Sequence, residues 1–163
     1  MARFELVSVW RVGSPLPPVW DAISHAERWP EWWHGLVSVV ELEPGEAGGI
    51  GSLRRFTWVG ALPYRLTFDI RITRIEPSKS IEGVASGDVA GVGVWRFSRD
   101  DSQTVVRYEW QVRTDAWWLN LLGVIAGPLV RWNHATVMDW GAKGLARRLE
   151  AGTWTRRGAH PGR

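Results

Sequence analysis

The chain contains no cysteine. Disulfide bonding and thiolate chemistry are therefore both excluded, and the redox state of its compartment leaves no trace in the sequence. Long apolar runs are also missing. The best stretch, Leu119–Val130, contains Asn120 and Pro128 and falls short of the ~20 residues that span a bilayer. The opening MARFELVSVWRV lacks the apolar core of a secretory leader and reads as a strand, so a cytoplasmic protein without a transmembrane segment is expected. The four histidines, His25, His34, His134 and His160, form neither H-x-H nor H-E-x-x-H, so neither a metal nor a cofactor is expected. Gly45–Gly51 is rich in glycine but carries no G-K-[ST], and Gly91-x-Gly93 lacks a third glycine at the spacing a dinucleotide fold requires. Ser86 lies in GVASGD, which is turn chemistry and not a G-x-S-x-G elbow.

Tryptophan, by contrast, is abundant: 13 in 163 residues, far more than a core of this size needs. Each brings a large apolar surface and one N–H that seeks an acceptor. An aromatic-lined pocket is favoured over a surface that meets a membrane or a partner. The pI of 9.9 raises the question of nucleic acid. The charge is uneven, however. Residues 143–163 hold six basic and one acidic side chain (+5), so with a net charge of +3 the first 142 residues carry 3 − 5 = −2. Basic residues at a helix end complement its dipole, and no nucleic-acid partner is expected.

One stretch organises the rest. Leu119–Glu150 has the spacing of a single long helix, about 48 Å at ~1.5 Å per residue, with a kink at Gly127-Pro128. Its apolar stripe runs Leu122, Ala126, Leu129/Val130, Asn133, Val137 and Trp140/Gly141. Asn133 interrupts the stripe and His134 sits beside it.

Upstream, Phe4–Val12 alternates as a strand, with Phe4, Leu6 and Trp10 on one face. Ser14 is a candidate N-cap for a short helix ending near Ser24, entered through prolines. One or two further helical turns, split by Pro30, precede Gly35. Strands are expected at Leu36–Leu42, Ser52–Val59, Tyr64–Ile75, Ser80–Ala85, Val89–Ser98 and Thr104–Thr114, joined by short polar turns as an antiparallel meander. Arg107, Glu109 and Arg113 on the last strand are expected to form cross-strand ion pairs with Arg65, Asp69 and Arg71. The fold class is α+β: a curved antiparallel sheet of about seven strands around a long C-terminal helix, with two short helices after strand one. Residues 1–150 form one domain and 151–163 a flexible basic tail.

This order, together with VWDAISHAERWPEWWHG at 19–35, GSLRRFTWVGALPYRLTFDIRITRIEP at 51–77, GVWRF at 93–97 and RWNHATVMDWGAKGLARRL at 131–149, resembles the START-like, helix-grip fold of the SRPBCC superfamily, the polyketide cyclase/dehydrase-like proteins. The resemblance covers nearly the whole chain to Leu149, and W-D-A-I-S…W-P-E-W-W is its most specific piece. It implies a cavity between sheet and helix that takes lipids, polyketides, sterols or other apolar molecules. The superfamily has no shared catalytic motif, so no catalytic residue is carried over.

The expected function is binding of a hydrophobic small molecule. The candidate wall consists of Trp33, Trp58, Tyr64, Phe68, Trp95, Tyr108, Trp110, Asn133, His134 and Val137. For the aromatics an ordinary filled core is the competing account, and for Asn133 and His134 a purely structural hydrogen bond. Trp58 and Trp95 turn inward or outward according to strand register. Two alternatives stand beside this reading. One is a cyclase or dehydratase in which His134, Tyr64 or Tyr108 moves protons. The other is an interaction module that uses exposed tryptophans and the basic tail.

Overall fold

The computed structural model describes residues 2–115 and 117–157, with the side chains of Trp118, Asn120 and 152–157 set aside. Seven strands form one sheet: β1 (Ala2–Val12), β2 (Leu36–Glu43), β3 (Leu53–Val59), β4 (Arg65–Glu76), β5 (Ser80–Gly87), β6 (Ala90–Asp100) and β7 (Gln103–Thr114). Their order is β1-β7-β6-β5-β4-β3-β2. Every pairing is antiparallel. The two strands nearest the N-terminus are thus the two edges, and the chain between them must cross the open side of the sheet. It does so as α1 (Leu16–Ser24) and a 3-10 helix (Ala26–Glu31).

Alternation decides which face is dry. Phe4, Leu6, Trp10 and Val12 are buried, whereas Val7 and Val9 are about half exposed. On β7 the same rule buries Val106, Trp110 and Val112. Register irregularities in β2–β3 and at Ile72/Arg74 of β4 bend the sheet around this face.

α1 begins after Pro15 with prolines in its first turn, where no N–H is needed. Ser14 does not cap it. The Ser14 carbonyl instead accepts a 2.7 Å hydrogen bond from the fully buried Thr104 hydroxyl, fastening the start of α1 to β7.

The C-terminal segment comprises α2 (Trp117–Leu122), a 3-10 turn (Gly123–Ile125) and α3 (Ala126–Arg157). The break falls at Gly123, which has φ +56°, and not at Gly127-Pro128. Pro128 lies in the first turn of α3 and is accommodated there. The helix runs past Glu150 to Arg157, so the expected tail starts helical; residues 158–163 lie outside the described residues.

α3 packs against β1 and α1 over the concave face. Close approach needs glycine: a Cβ at Gly144 would lie 1.8 Å from the Trp32 carbonyl oxygen, and one at Gly141 2.4 Å from the Trp33 ring. No described helix is long and apolar enough to cross a membrane.

The outer face carries the charges, but their pairing differs from expectation. β5 and β6 separate β4 from β7, so Arg107 and Glu109 cannot reach Asp69 or Arg71. The pairs formed are Arg55–Asp69 at 2.8 Å, Arg71–Glu43 at 2.8 Å, Arg96–Glu109 at 3.2 Å and Arg107–Glu109 at 3.0 Å. Partner cations hold the Glu43, Asp69 and Glu109 carboxyls below their ordinary range. Asp69 and Glu109 are partly covered and their partners exposed, so water still screens these pairs and they add little to stability.

Candidate functional site: an aromatic cavity under the C-terminal helix

Between the concave face and α3 lies a cavity of about 560 Å³. It is of the size that holds a small-molecule ligand. All ten residues expected to form its wall border it: Trp33, Trp58, Tyr64, Phe68, Trp95, Tyr108, Trp110, Asn133, His134 and Val137. The register of β3 against β4 (Trp58↔Leu66) and of β6 against β7 (Trp95↔Tyr108) turns Trp58 and Trp95 inward together.

Further wall residues lie outside the expected set. Phe4 and Leu6 come from β1, Phe56 from β3, Trp29 from the 3-10 helix, and Leu119 and Met138 from the C-terminal segment. Phe56 stands two positions before Trp58, and Phe4 two before Leu6, so strand periodicity carried that information. Trp29 carried no such signal, because a 3-10 helix around Pro30 has no readable period.

Trp33 lies at the centre of the aromatic wall. Its ring centroid is 5.2 Å from those of Trp10, Trp29 and Trp58, mostly in edge-on contacts that suit the ring quadrupole. Trp95 stacks on Tyr108 at 4.2 Å, and Tyr108 continues to Trp110 at 5.8 Å. Gly93 makes this stack possible: a Cβ there would come within 2.7 Å of the Trp110 ring and 2.8 Å of the Tyr108 hydroxyl.

Polar groups are few. The Asn133 Oδ1 accepts a 3.1 Å hydrogen bond from the Leu62 N–H, so this residue has a structural partner and ties the β3–β4 loop to α3 at the cavity mouth. Gly60 in the same loop leaves room for the amide, since a Cβ there would sit 2.6 Å from Oδ1. On the opposite rim Asp88 accepts from the Thr67 N–H at 2.8 Å and, through its carbonyl, from the Thr114 hydroxyl at 2.9 Å, holding three strand ends together.

Burial sets the ionisation of the interior. The His134 imidazole is pushed down to about 4 by desolvation and is neutral at physiological pH. Burial pushes the Tyr108 hydroxyl well up, and it raises Tyr64 too, with Asp88 adding to the effect. His134, Tyr64 and Tyr108 are therefore neutral hydrogen-bonding groups, beside the charged Arg65, Asp88, Arg113 and Asp115 that also border the cavity. A histidine this far below neutrality is a weak base and is unprotonated when an acid is needed. Among the described residues there is no group of three or more His, Asp or Glu side chains able to hold a metal ion.

Solved structures share this architecture. A START superfamily protein from Mycobacterium smegmatis superposes with a TM-score of 0.72 at 14% identity, covering 90% of this chain and 97% of that one. The Zhui aromatase/cyclase from Streptomyces sp. R1128 gives 0.69 at 16% identity, with 91% and 94% covered. The di-domain ARO/CYC BexL from the BE-7585A biosynthetic pathway gives 0.71 at 18% identity over 89% of this chain, which spans only 49% of that protein. At these identities the likeness establishes the fold. No curated protein matches the sequence. Residues 12–137 match the family described as polyketide cyclase / dehydrase and lipid transport, and the chain belongs to that family.

Proposed function

We propose that this protein binds a hydrophobic small molecule, a lipid, polyketide or similar compound, in the cavity between sheet and α3, and that it does so in the cytoplasm. The observation that carries the reading is the wall itself: about 560 Å³ bordered mainly by tryptophan, phenylalanine and aliphatic side chains, with His134 neutral among them and Arg65, Asp88, Arg113 and Asp115 as the charged residues on its border. Apolar burial of ~25 cal/mol per Å² supplies affinity, and Asn133, His134, Tyr64 and Tyr108 orient the ligand's oxygens. Family membership supports the same reading.

Native mass spectrometry of the purified protein, followed by solvent extraction, tests it. A stoichiometric apolar mass released on denaturation is expected. A bare chain whose Trp fluorescence ignores a panel of lipids and fused-ring aromatics overturns it.

A second reading, docking on a lipid surface, is favoured by one feature. Trp117, Leu121, Val124, Ile125 and Trp132 expose apolar side chains along α2, the 3-10 turn and the start of α3, and Trp117 also borders the cavity. The cyclase or dehydratase reading draws support from the family, but burial leaves His134 a weak base and the Tyr108 hydroxyl a weak acid near neutral pH.

A further inference from the structure

A second cavity of about 450 Å³ lies beyond the first. Trp29, Phe56, Ile70, Trp95, Tyr108 and Trp110 border both, so a single aromatic partition separates them. The second chamber reaches the β2–β3 loop at Gly48 and Gly49, the β4–β5 turn at Pro77 and the end of α1 at Ser24. In an antiparallel meander these lie at the opposite end of the sheet from the first cavity's mouth at Gly60, Tyr64 and Asp88.

Its wall contains an anomaly. Among the described residues, two buried side-chain polar atoms lack a hydrogen-bond partner, and both belong to residues of this chamber: Ser52 Oγ and Arg54 Nε. Ser52 is completely buried. The two stand two positions apart on the inward face that continues to Phe56 and Trp58. Buried polar groups are almost always paired, because leaving one unpaired forfeits its hydration without return.

The charge of Arg54 narrows what could pair with it. Its Nη2 lies 3.5 Å from Glu27 and 3.7 Å from Glu41. One guanidinium between two carboxylates leaves a net −1, which repels an anion. Nε–H is still a donor, and the Ser52 hydroxyl can supply a second. A carbonyl oxygen accepts two hydrogen bonds and carries no charge.

We propose that the second chamber is a subsite for an oxygenated apolar group, a ketone or hydroxyl-bearing ring, whose oxygen accepts from Arg54 Nε–H and Ser52 Oγ–H. This rests on the hydrophobic-ligand reading and adds to it a polar terminus at the far end from the mouth.

The test uses 1-tetralone and tetralin, which differ essentially in one carbonyl. Binding is followed by ¹H–¹⁵N correlation spectra that resolve the Arg54 Nε–H and the Trp58 indole N–H. Tetralone is expected to shift the Arg54 signal saturably and to bind about tenfold more tightly than tetralin, the effect of one charge-assisted hydrogen bond. Ser52→Ala reduces that preference. Arg54→Lys keeps a cation for Glu27 and Glu41, removes Nε, and abolishes it.

Tetralone that shifts Trp58 while leaving Arg54 in place overturns the subsite and leaves the hydrophobic-ligand reading standing. Equal affinity of the two probes overturns it as well, the orphaned atoms then being water sites. If neither probe shifts either signal, both readings fall for this class of compound.

Discussion

The indole N–H of Trp33 donates to the main-chain carbonyl of Val137 at 2.8 Å, a contact between residues 104 positions apart in sequence. It joins the crossing segment to the middle of α3, and both residues border the cavity. The hydrogen bond and the ring do separable work. Trp33→Phe keeps an aromatic ring and loses the bond, so it should cost about 1 kcal/mol. Trp33→Ala removes a ring lodged between Trp10, Trp29 and Trp58 and should cost about 3–5 kcal/mol. Urea denaturation of both variants checks this; an alanine variant as stable as the parent would show that the ring is not part of the packing.

Acid should weaken the fold through His134. Its folded pKa of about 4 lies below the ordinary 6.5. Between those values the unfolded chain binds the proton and the folded chain does not, so stability falls as pH drops from about 6.5 towards 4 and is flat above pH 7. The loss between pH 7 and 5 should be at most about 2 kcal/mol. The lowered carboxyls of Glu43, Asp69 and Glu109 act only below their ordinary range, and exposure makes their share small. Denaturation midpoints of the parent and His134→Gln across this window decide it: the variant's curve should be flatter, and parallel curves would refute the assignment.

Two glycines of α3 should respond oppositely to alanine. At Gly144 the new Cβ meets the Trp32 carbonyl oxygen at 1.8 Å, a backbone atom that cannot swing aside. A loss of about 2–4 kcal/mol is expected. At Gly127 nothing lies within 4 Å, so alanine should be neutral or stabilise by up to ~1 kcal/mol through helix propensity. Thermal melts that move in the same direction for both would contradict the close approach of α3 to the crossing segment.

Asn133→Ala should loosen the mouth more than the core. It leaves the Leu62 N–H without its side-chain acceptor and should cost about 1 kcal/mol. Amide exchange in residues 60–64 should accelerate while exchange in β7 stays unchanged. Equal acceleration throughout would mean that the residue supports the whole fold and not this loop.

If the exposed residues beside the mouth engage lipid, Leu121→Ser with Val124→Ser should abolish co-sedimentation with phosphatidylcholine/phosphatidylglycerol vesicles without changing the melting temperature, since both side chains are exposed. A parent protein that stays in the supernatant rules out lipid docking.

Local chemistry determined much of this protein from sequence alone. Alternation in Phe4–Val12 and Thr104–Thr114 named the strands and their dry faces, because a pleated chain sends successive side chains to opposite sides. The stripe through Ala126, Val130, Asn133 and Val137 marked the side of α3 that faces the sheet, whereas the inward turn of Trp58 and Trp95 depended on register and Trp33 lies in no periodic element.

Tertiary structure decided what depends on partners distant in sequence. Strand order sets β5 and β6 between the charged faces of β4 and β7, so Asp69 pairs with Arg55 and Glu109 with Arg96. The helix breaks at Gly123 because that residue adopts a left-handed backbone, while Pro128 falls where a first turn tolerates it. Ser14 resembles a cap in one dimension and is a hydrogen-bond acceptor for Thr104 in three. Ser52 and Arg54 look like ordinary strand residues until the fold buries them with two polar atoms unpaired. Periodicity is written in neighbours along the chain, whereas pairing, burial and cavity shape are properties of surfaces that only the closed sheet and α3 bring together.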